Sequence, residues 1–142
     1  MNLTPHFSLE ELTRTDHRQL DNTPNETERA NLQRLAELLE LVKVALGGKP
    51  IMVNSAFRSK AVNNAVGSKD TSQHILGCAA DIRVPGVTTD QVVRAIIAAN
   101  IPFDQLIREF DSWTHISVPN DIGAFPRRQA LIIDKTGTRA FA

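Results

Sequence analysis

Between Ser72 and Asp81 the chain reads Ser-Gln-His-Ile-Leu-Gly-Cys-Ala-Ala-Asp, and no other stretch restricts the possible folds as much. His74 and Asp81 stand seven positions apart with Gly77, Cys78, Ala79 and Ala80 between them. A segment broken by glycine and filled with small residues is not expected to be helical, so the two polar side chains do not share a helix face. A loop that turns at Gly77 and enters a strand by Asp81 brings them to one point. The small residues let the backbone pass close to whatever those side chains hold. A second histidine follows in Trp113-Thr114-His115-Ile116-Ser117. Strand alternation there puts Trp113, His115 and Ser117 on one face and Thr114, Ile116 and Val118 on the other. Two imidazoles and one carboxylate form the ligand set of a catalytic zinc that keeps its fourth position open for water.

The rest of the composition bounds the setting. A chain of 142 residues, 42% hydrophobic and 23% charged, fits one domain, residues 1–142, with one core. Sixteen basic residues offset sixteen acidic ones, so no global field favours nucleic acid or an anionic membrane. Cys78 is the only cysteine, so no internal disulfide is possible, and its small neighbours point to a packed side chain rather than a nucleophile. Met1-Asn2-Leu3-Thr4-Pro5-His6 has neither the basic nor the apolar region of a signal peptide. No apolar run approaches the ~20 residues that span a bilayer. The expectation is synthesis in the cytoplasm, no membrane insertion, and action elsewhere only after release.

Local patterns give the elements. Ser8 caps a short amphipathic piece to Leu12. Thr23-Pro24-Asn25-Glu26 opens the clearest helix, with Thr23 as cap, Pro24 at the first helical position and Glu26 reciprocating. Leu32, Leu35, Leu39, Val42 and Leu46 follow at helical spacing, and Gly47-Gly48 ends the run. A strand is expected over 51–54, a short helix over 60–66, a strand around 79–84, and a helix capped by Thr88 or Thr89 that turns Val92, Val93, Ile96 and Ile97 inward. Strands over 103–109 and 114–118 join through a tight turn at Phe110-Asp111-Ser112, and 130–133 adds an edge strand. The sum is an α+β fold: a small, largely antiparallel sheet with helices packed on one side.

At Ser72, His74, Gly77, Ala79, Asp81 and Trp113-Thr114-His115 the chain resembles the zinc D-Ala-D-Ala carboxypeptidases. That family also includes phage L-alanyl-D-glutamate endopeptidases and is akin to the zinc-containing hedgehog signalling domain. The resemblance also takes in His6-Phe7-Ser8-Leu9-Glu10-Glu11-Leu12, Asn54-Ser55-Ala56-Phe57-Arg58-Ser59, Asn63-Asn64-Ala65-Val66-Gly67 and Phe103-Asp104-Gln105-Leu106-Ile107-Arg108-Glu109, in order from about Phe7 to Val118. It implies a hedgehog-like peptidase fold, Zn2+ held by His74, Asp81 and His115, and hydrolysis of peptide bonds in bacterial peptidoglycan stem peptides or cross-links. His6 and His17 fall outside this pattern.

The resemblance further implies a general base near the third ligand. Several relatives place an acid three positions before that histidine, where this chain has Ser112. Glu109 and Asp111 are the nearby acids. Antiparallel pairing of the two strands brings Glu109 alongside His115, whereas an aspartate at 111 suits the turn itself; Glu109 is preferred, unless it is only a strand-end carboxylate paired with Arg108. Arg58, just after a strand, can offer paired donors to a substrate carboxylate or an oxyanion, the role the resemblance implies, although Lys60 and Lys69 nearby also suit a surface arginine. Ser72 is expected to hydrogen-bond substrate or its own loop, and Trp113 to wall the pocket or fill the core. The expected protein is a monomeric zinc metallopeptidase acting on a peptidoglycan peptide, most simply as a phage or prophage endolysin. The alternatives are a D-Ala-D-Ala carboxypeptidase and a non-catalytic zinc-containing wall- or protein-binding module.

Overall fold

Asn25 ends an extended stretch and opens the longest helix of the protein, whose computed structural model describes residues 1–141. The Asn25 side chain accepts from the Glu28 amide while the Glu28 carboxylate accepts from the Asn25 amide, both at 2.8 Å. This closes two of the orphan donors of a helix start. The cap is therefore Asn25 and not Thr23, whose amide and hydroxyl are instead taken by Asp21 in the preceding turn. Pro24 consequently stands before the helix, which runs Glu26–Ala45 (α2, after the short α1, Leu9–Leu12, capped by Ser8). Leu32, Leu35, Ala36, Leu39 and Val42 lie fully buried along one stripe of α2.

Six strands make the main sheet: β3 (Met52–Ser55), β4 (Ala79–Arg83), β5 (Gln105–Glu109), β6 (Trp113–Ser117), β7 (Gln129–Asp134) and β8 (Gly137–Ala140), in the order β3-β4-β6-β5-β7-β8. A separate two-stranded ribbon joins β1 (Asn2–Thr4) to β2 (Phe7–Ser8). Two further helices, α3 (Lys60–Ala65) and α4 (Thr89–Ala98), follow β3 and β4. Thr88 is the cap of α4 and forms a reciprocal pair with Gln91. Val92, Val93 and Ile96 are buried on α4, but Ile97 is 42% exposed, because the helix buries a narrower stripe than its apolar content suggested.

The sheet is larger than expected and mixed, with β7 lying parallel to β5 and every other pairing antiparallel. The segment 130–133 is thus no edge. It pairs with β5 on one side, from Gln105↔Gln129 to Glu109↔Ile133, and with β8 on the other. The unbroken Leu131-Ile132-Ile133 run suits a strand with neighbours on both sides. Gly137–Ala140, the actual edge, is exposed at every position and carries none of the alternation that marks a strand.

Two faces result. Ile82, Ile116 and Leu106 point to a contiguous core shared with α2 and α4. Asp81 and His115, one residue out of phase with Ile82 and Ile116, point to the opposite face. They are register partners across β4 and β6, so the pleat sets them side by side.

Candidate metal centre

Gly77 makes the turn that sends the chain from His74 into β4. It adopts φ +76°, a left-handed conformation, and an added Cβ would lie 2.8 Å from the Glu28 carbonyl oxygen and 3.2 Å from Leu32 Cγ. The want of a side chain is therefore used against the backbone of α2, and not beside the metal ligands as the spacing suggested. Just before it, Gln73–Leu76 forms a 3-10 turn whose His74 amide donates to Ser72 Oγ at 3.2 Å. The turn is tied to the loop after β3: the Arg58 amide donates to the His74 carbonyl at 3.0 Å, and His74 Nδ1 lies 2.7 Å from the Ala56 carbonyl oxygen. A carbonyl only accepts, so Nδ1 carries the proton and Nε2 presents its lone pair.

That lone pair meets the two partners from the sheet. His74 Nε2 is 3.3 Å from Asp81 Oδ2, and His115 Nδ1 is 3.1 Å from Asp81 Oδ1. The two rings meet edge to face with centroids 5.3 Å apart. One ligand atom from each of the three residues lies within 4.8 Å of the others, the spacing at which one ion can be shared. Two neutral imidazole nitrogens and one carboxylate oxygen fit a divalent, zinc-type ion in their chemistry as well as their spacing. Burial pushes the His74 imidazole toward neutrality, against the pull of Asp81, and the neighbouring His115 and Arg58 add to the push. Burial opposes the Asp81 charge, but the neighbouring His115 and His74 rings outweigh it and hold this carboxyl far below the usual range. Both groups thus stand in the protonation state a metal requires.

A cleft of about 870 Å³ surrounds this cluster, and Arg58, Ser72, Glu109 and Trp113 all line it. Glu109 pairs with Trp113 across β5 and β6 and so projects on the same face as His115, two residues further along. Burial raises its pKa above the usual glutamate value, and the Asp81 charge raises it further, against the opposing pull of His115, Trp113 and Arg58. The Trp113 indole N–H is buried with no partner of good hydrogen-bond geometry, although it lies near enough to Glu109 to favour the charged carboxylate. Arg108 does not pair with Glu109. Its guanidinium binds Asp90 at 3.1 Å and Asp111 at 3.0 Å instead. Asp111 and Ser112 line a separate cavity of about 690 Å³ with Val84, Thr88 and Met52, away from His74, Asp81 and His115.

Arg58 is half-buried and held from three sides: Nε donates to Ser55 Oγ at 3.0 Å, Nη1 to Asn63 Oδ1 at 3.1 Å, and Nη2 reaches Asp81 Oδ2 at 3.5 Å. Three of its five N–H donors are thus engaged and two are left. Asn63 is fully buried and also donates to the Lys69 carbonyl at 2.9 Å, so it fixes the guanidinium and the far rim of the cleft together. Sequence reasoning did not single out Asn63, Ser55 or the Ala56 carbonyl. The available signal was that all three fall within stretches that carry the resemblance. Lys69, Gln105, Phe110 and Ile133 complete the cleft wall. Elsewhere, His6 is exposed and bound to Glu40, and His17 belongs to no metal-ligating cluster among the described residues. Cys78 is buried beside Arg34, and burial pushes its thiol pKa up, which makes it inert packing.

A family model described as Peptidase M15 matches residues 5–117. The chain is also similar to a zinc D-Ala-D-Ala carboxypeptidase from Streptomyces albus G, with 43% identity over 56 residues. That match covers 39% of this chain and only 22% of the length of that curated relative. The family match contains all three candidate ligands together with Arg58 and Glu109, and stops short of β7 and β8.

Proposed function

This chain belongs to the Peptidase M15 family, and on that premise we propose that it is a zinc-dependent peptidase that cuts peptide bonds within bacterial peptidoglycan stem peptides or cross-links. The observation that carries the reading is the convergence of His74, Asp81 and His115 in one cleft with a half-buried glutamate, free of any ion pair, on the neighbouring strand. Held by those three side chains, zinc would supply a Lewis acid at the scissile carbonyl and lower the pKa of a water toward ~7. Glu109 accepts the proton of the attacking water on its carboxylate and returns it to the departing amine. Its pKa, raised above the ordinary glutamate value by burial and the Asp81 charge, makes it a better proton acceptor than an exposed glutamate. The two free donors of Arg58 receive the oxyanion or a substrate carboxylate, already aimed by Ser55 and Asn63. Ser72 shapes the ligand turn through the His74 amide, and Trp113 with Phe110 shields the Glu109 side of the cleft from water.

The cleft volume of about 870 Å³ lies toward the upper end of the 300–1,000 Å³ typical of small-ligand sites, more than one terminal residue would fill. This favours internal cleavage over removal of a terminal D-Ala. Among the described residues no helix is long and apolar enough to cross a membrane. The proposed setting is that of a phage or prophage endolysin reaching the wall after release. Digestion of purified peptidoglycan, with mass spectrometry of the products, tests the whole reading. New internal ends that vanish with a chelator and return with Zn2+ are expected. Release of terminal D-Ala alone makes the protein a carboxypeptidase, and no cleavage by the zinc-loaded protein sinks the proposal.

A further inference from the structure

Gln73, immediately before the ligand His74, is buried and sits between three acceptors. Its Nε2 lies 2.7 Å from Asn120 Oδ1, 3.1 Å from the Val118 carbonyl and 3.2 Å from Asp104 Oδ2. An amide turned the other way would aim its oxygen at all three, so the orientation is fixed by chemistry. Val118 lies just beyond the end of β6, three residues after His115. The Gln73 side chain therefore pins the turn carrying one ligand to the strand carrying another.

Asp104 is the second part of this link. It is 4% exposed, and its carboxylate accepts from Arg127 three times: from the amide at 2.9 Å, Nε at 3.0 Å and Nη2 at 2.7 Å. Its own amide donates to the Ser117 carbonyl at 2.8 Å, and its carbonyl accepts from the Gln129 amide at 3.0 Å. A carboxylate this deeply buried is tolerable only while its charge is met. The charge that meets it comes from residue 127, in the connection between β6 and β7, beyond the residues that match the family model. That connection would otherwise have no evident part in the site.

We propose that Gln73 and Asp104 are positioning residues for the metal ligand His74, and that Arg127, from the connection to β7, completes the metal centre by holding Asp104 charged and in place. The inference rests on the reading above that His74, Asp81 and His115 bind zinc. Neither Gln73 nor Arg127 touches a ligand atom. Their effect is on the separation of the His74 turn from β6, and hence on how well three donors meet one ion. Outer contacts of this kind typically change metal affinity by one to two orders of magnitude.

The test is zinc affinity by competition with a chromophoric chelator, for the wild-type chain and for Arg127→Ala and Gln73→Met, each at a temperature where circular dichroism shows it folded. Melting of the zinc-free forms is followed in parallel. Affinity should fall roughly tenfold in both variants. Arg127 is more than half exposed, so its truncation opens no cavity in the core, although Asp104 loses the charge that meets it and the variant should melt earlier. Should Arg127→Ala nevertheless not fold, Arg127→Lys, which keeps the charge and loses the paired donors, is measured in the same way with the same expected direction. Affinities within about threefold of wild type would overturn the inference, even if the zinc-free proteins melt earlier, because a purely structural contact moves melting without moving affinity. If the wild-type chain itself binds no zinc, the failure lies in the proposed function, a result distinct from equal binding by wild type and variants.

Discussion

Glu109 carries the most specific expectation at the scale of single residues. It occupies the cleft without an ion-pair partner, since Arg108 is committed to Asp90 and Asp111 on the other face. Glu109→Gln preserves shape and removes the proton acceptor, so kcat should fall by about 10²–10⁴ while zinc affinity stays close to wild type. Full activity in that variant would move the base elsewhere, and Asp111, exposed and facing a different cavity, is poorly placed to take over. A second measurement follows from the charge balance. In the zinc-free protein Glu109 should titrate above the ordinary glutamate value of 4.5, because burial and the Asp81 charge both favour its protonated form. Adding Zn2+ places positive charge nearby and should draw that value down. Carbon-13 NMR of the side-chain carboxyl, with and without zinc, reads both; a titration indifferent to the metal would separate Glu109 from the centre. The cluster of His74, Asp81 and His115 was legible because two imidazoles and a carboxylate are rare at such spacing, and Glu109 was reached only through the resemblance and the expected strand pairing. Asn63, Ser55 and Gln73 were not, because an amide or hydroxyl has no distinctive neighbours in sequence, and its role is set by where a distant backbone places an acceptor.

At the scale of elements, the turn at Gly77 joins packing to chemistry. Gly77→Ala would meet two penalties together: a left-handed backbone that an L-residue adopts at a loss of roughly 1–2 kcal/mol, and a Cβ 2.8 Å from the rigid Glu28 carbonyl of α2. Denaturant melts should show at least about 2 kcal/mol of lost stability. Because His74 lies three residues earlier, zinc affinity should weaken as well. A loss of only about 1 kcal/mol would mean that α2 yields to the new Cβ, and an Ala variant as stable as wild type would overturn both penalties. Element boundaries followed the same division between local and distant causes. The apolar stripe of α2 and the alternation around His115 could be read directly, since both are periodic along the chain. The start of α2 was displaced by two residues because Thr23 and Asn25 are both good caps, and only the hydrogen bonds of Thr23 to Asp21 decide between them. The parallel pairing of β7 with β5 has no local signature, and β8 owes its strand to β7 alone.

At the scale of the whole molecule, the proposed metal centre joins pieces distant in the chain: the loop after β3, the 3-10 turn, β4, β6 and, through Arg127, the connection to β7. In the zinc-free protein these pieces are held around a histidine kept neutral by burial. His74 has a lower pKa folded than its ordinary 6.5, so between the two values the unfolded chain binds a proton that the folded chain does not. Stability then rises with pH across that window: the contribution is intact above about 6.5 and is lost as the solution is acidified below it. Zinc adds to this dependence in the same direction. Protons compete with the metal for both imidazoles, and zinc binding favours the folded state by RT ln(1 + [Zn]/Kd), about 2.7 kcal/mol at a hundredfold excess over Kd. The melting temperature should therefore rise with free Zn2+ at pH ~7.5 and return to the zinc-free value with a chelator. The difference between the two curves should narrow as the solution is acidified, once protons displace the metal from its nitrogen donors. His74→Gln, which keeps a polar side chain without the titration, should abolish both the zinc-dependent gain and most of the slope near 6.5. A zinc-dependent gain that persists undiminished in His74→Gln would show that the ion is held by groups other than these imidazoles.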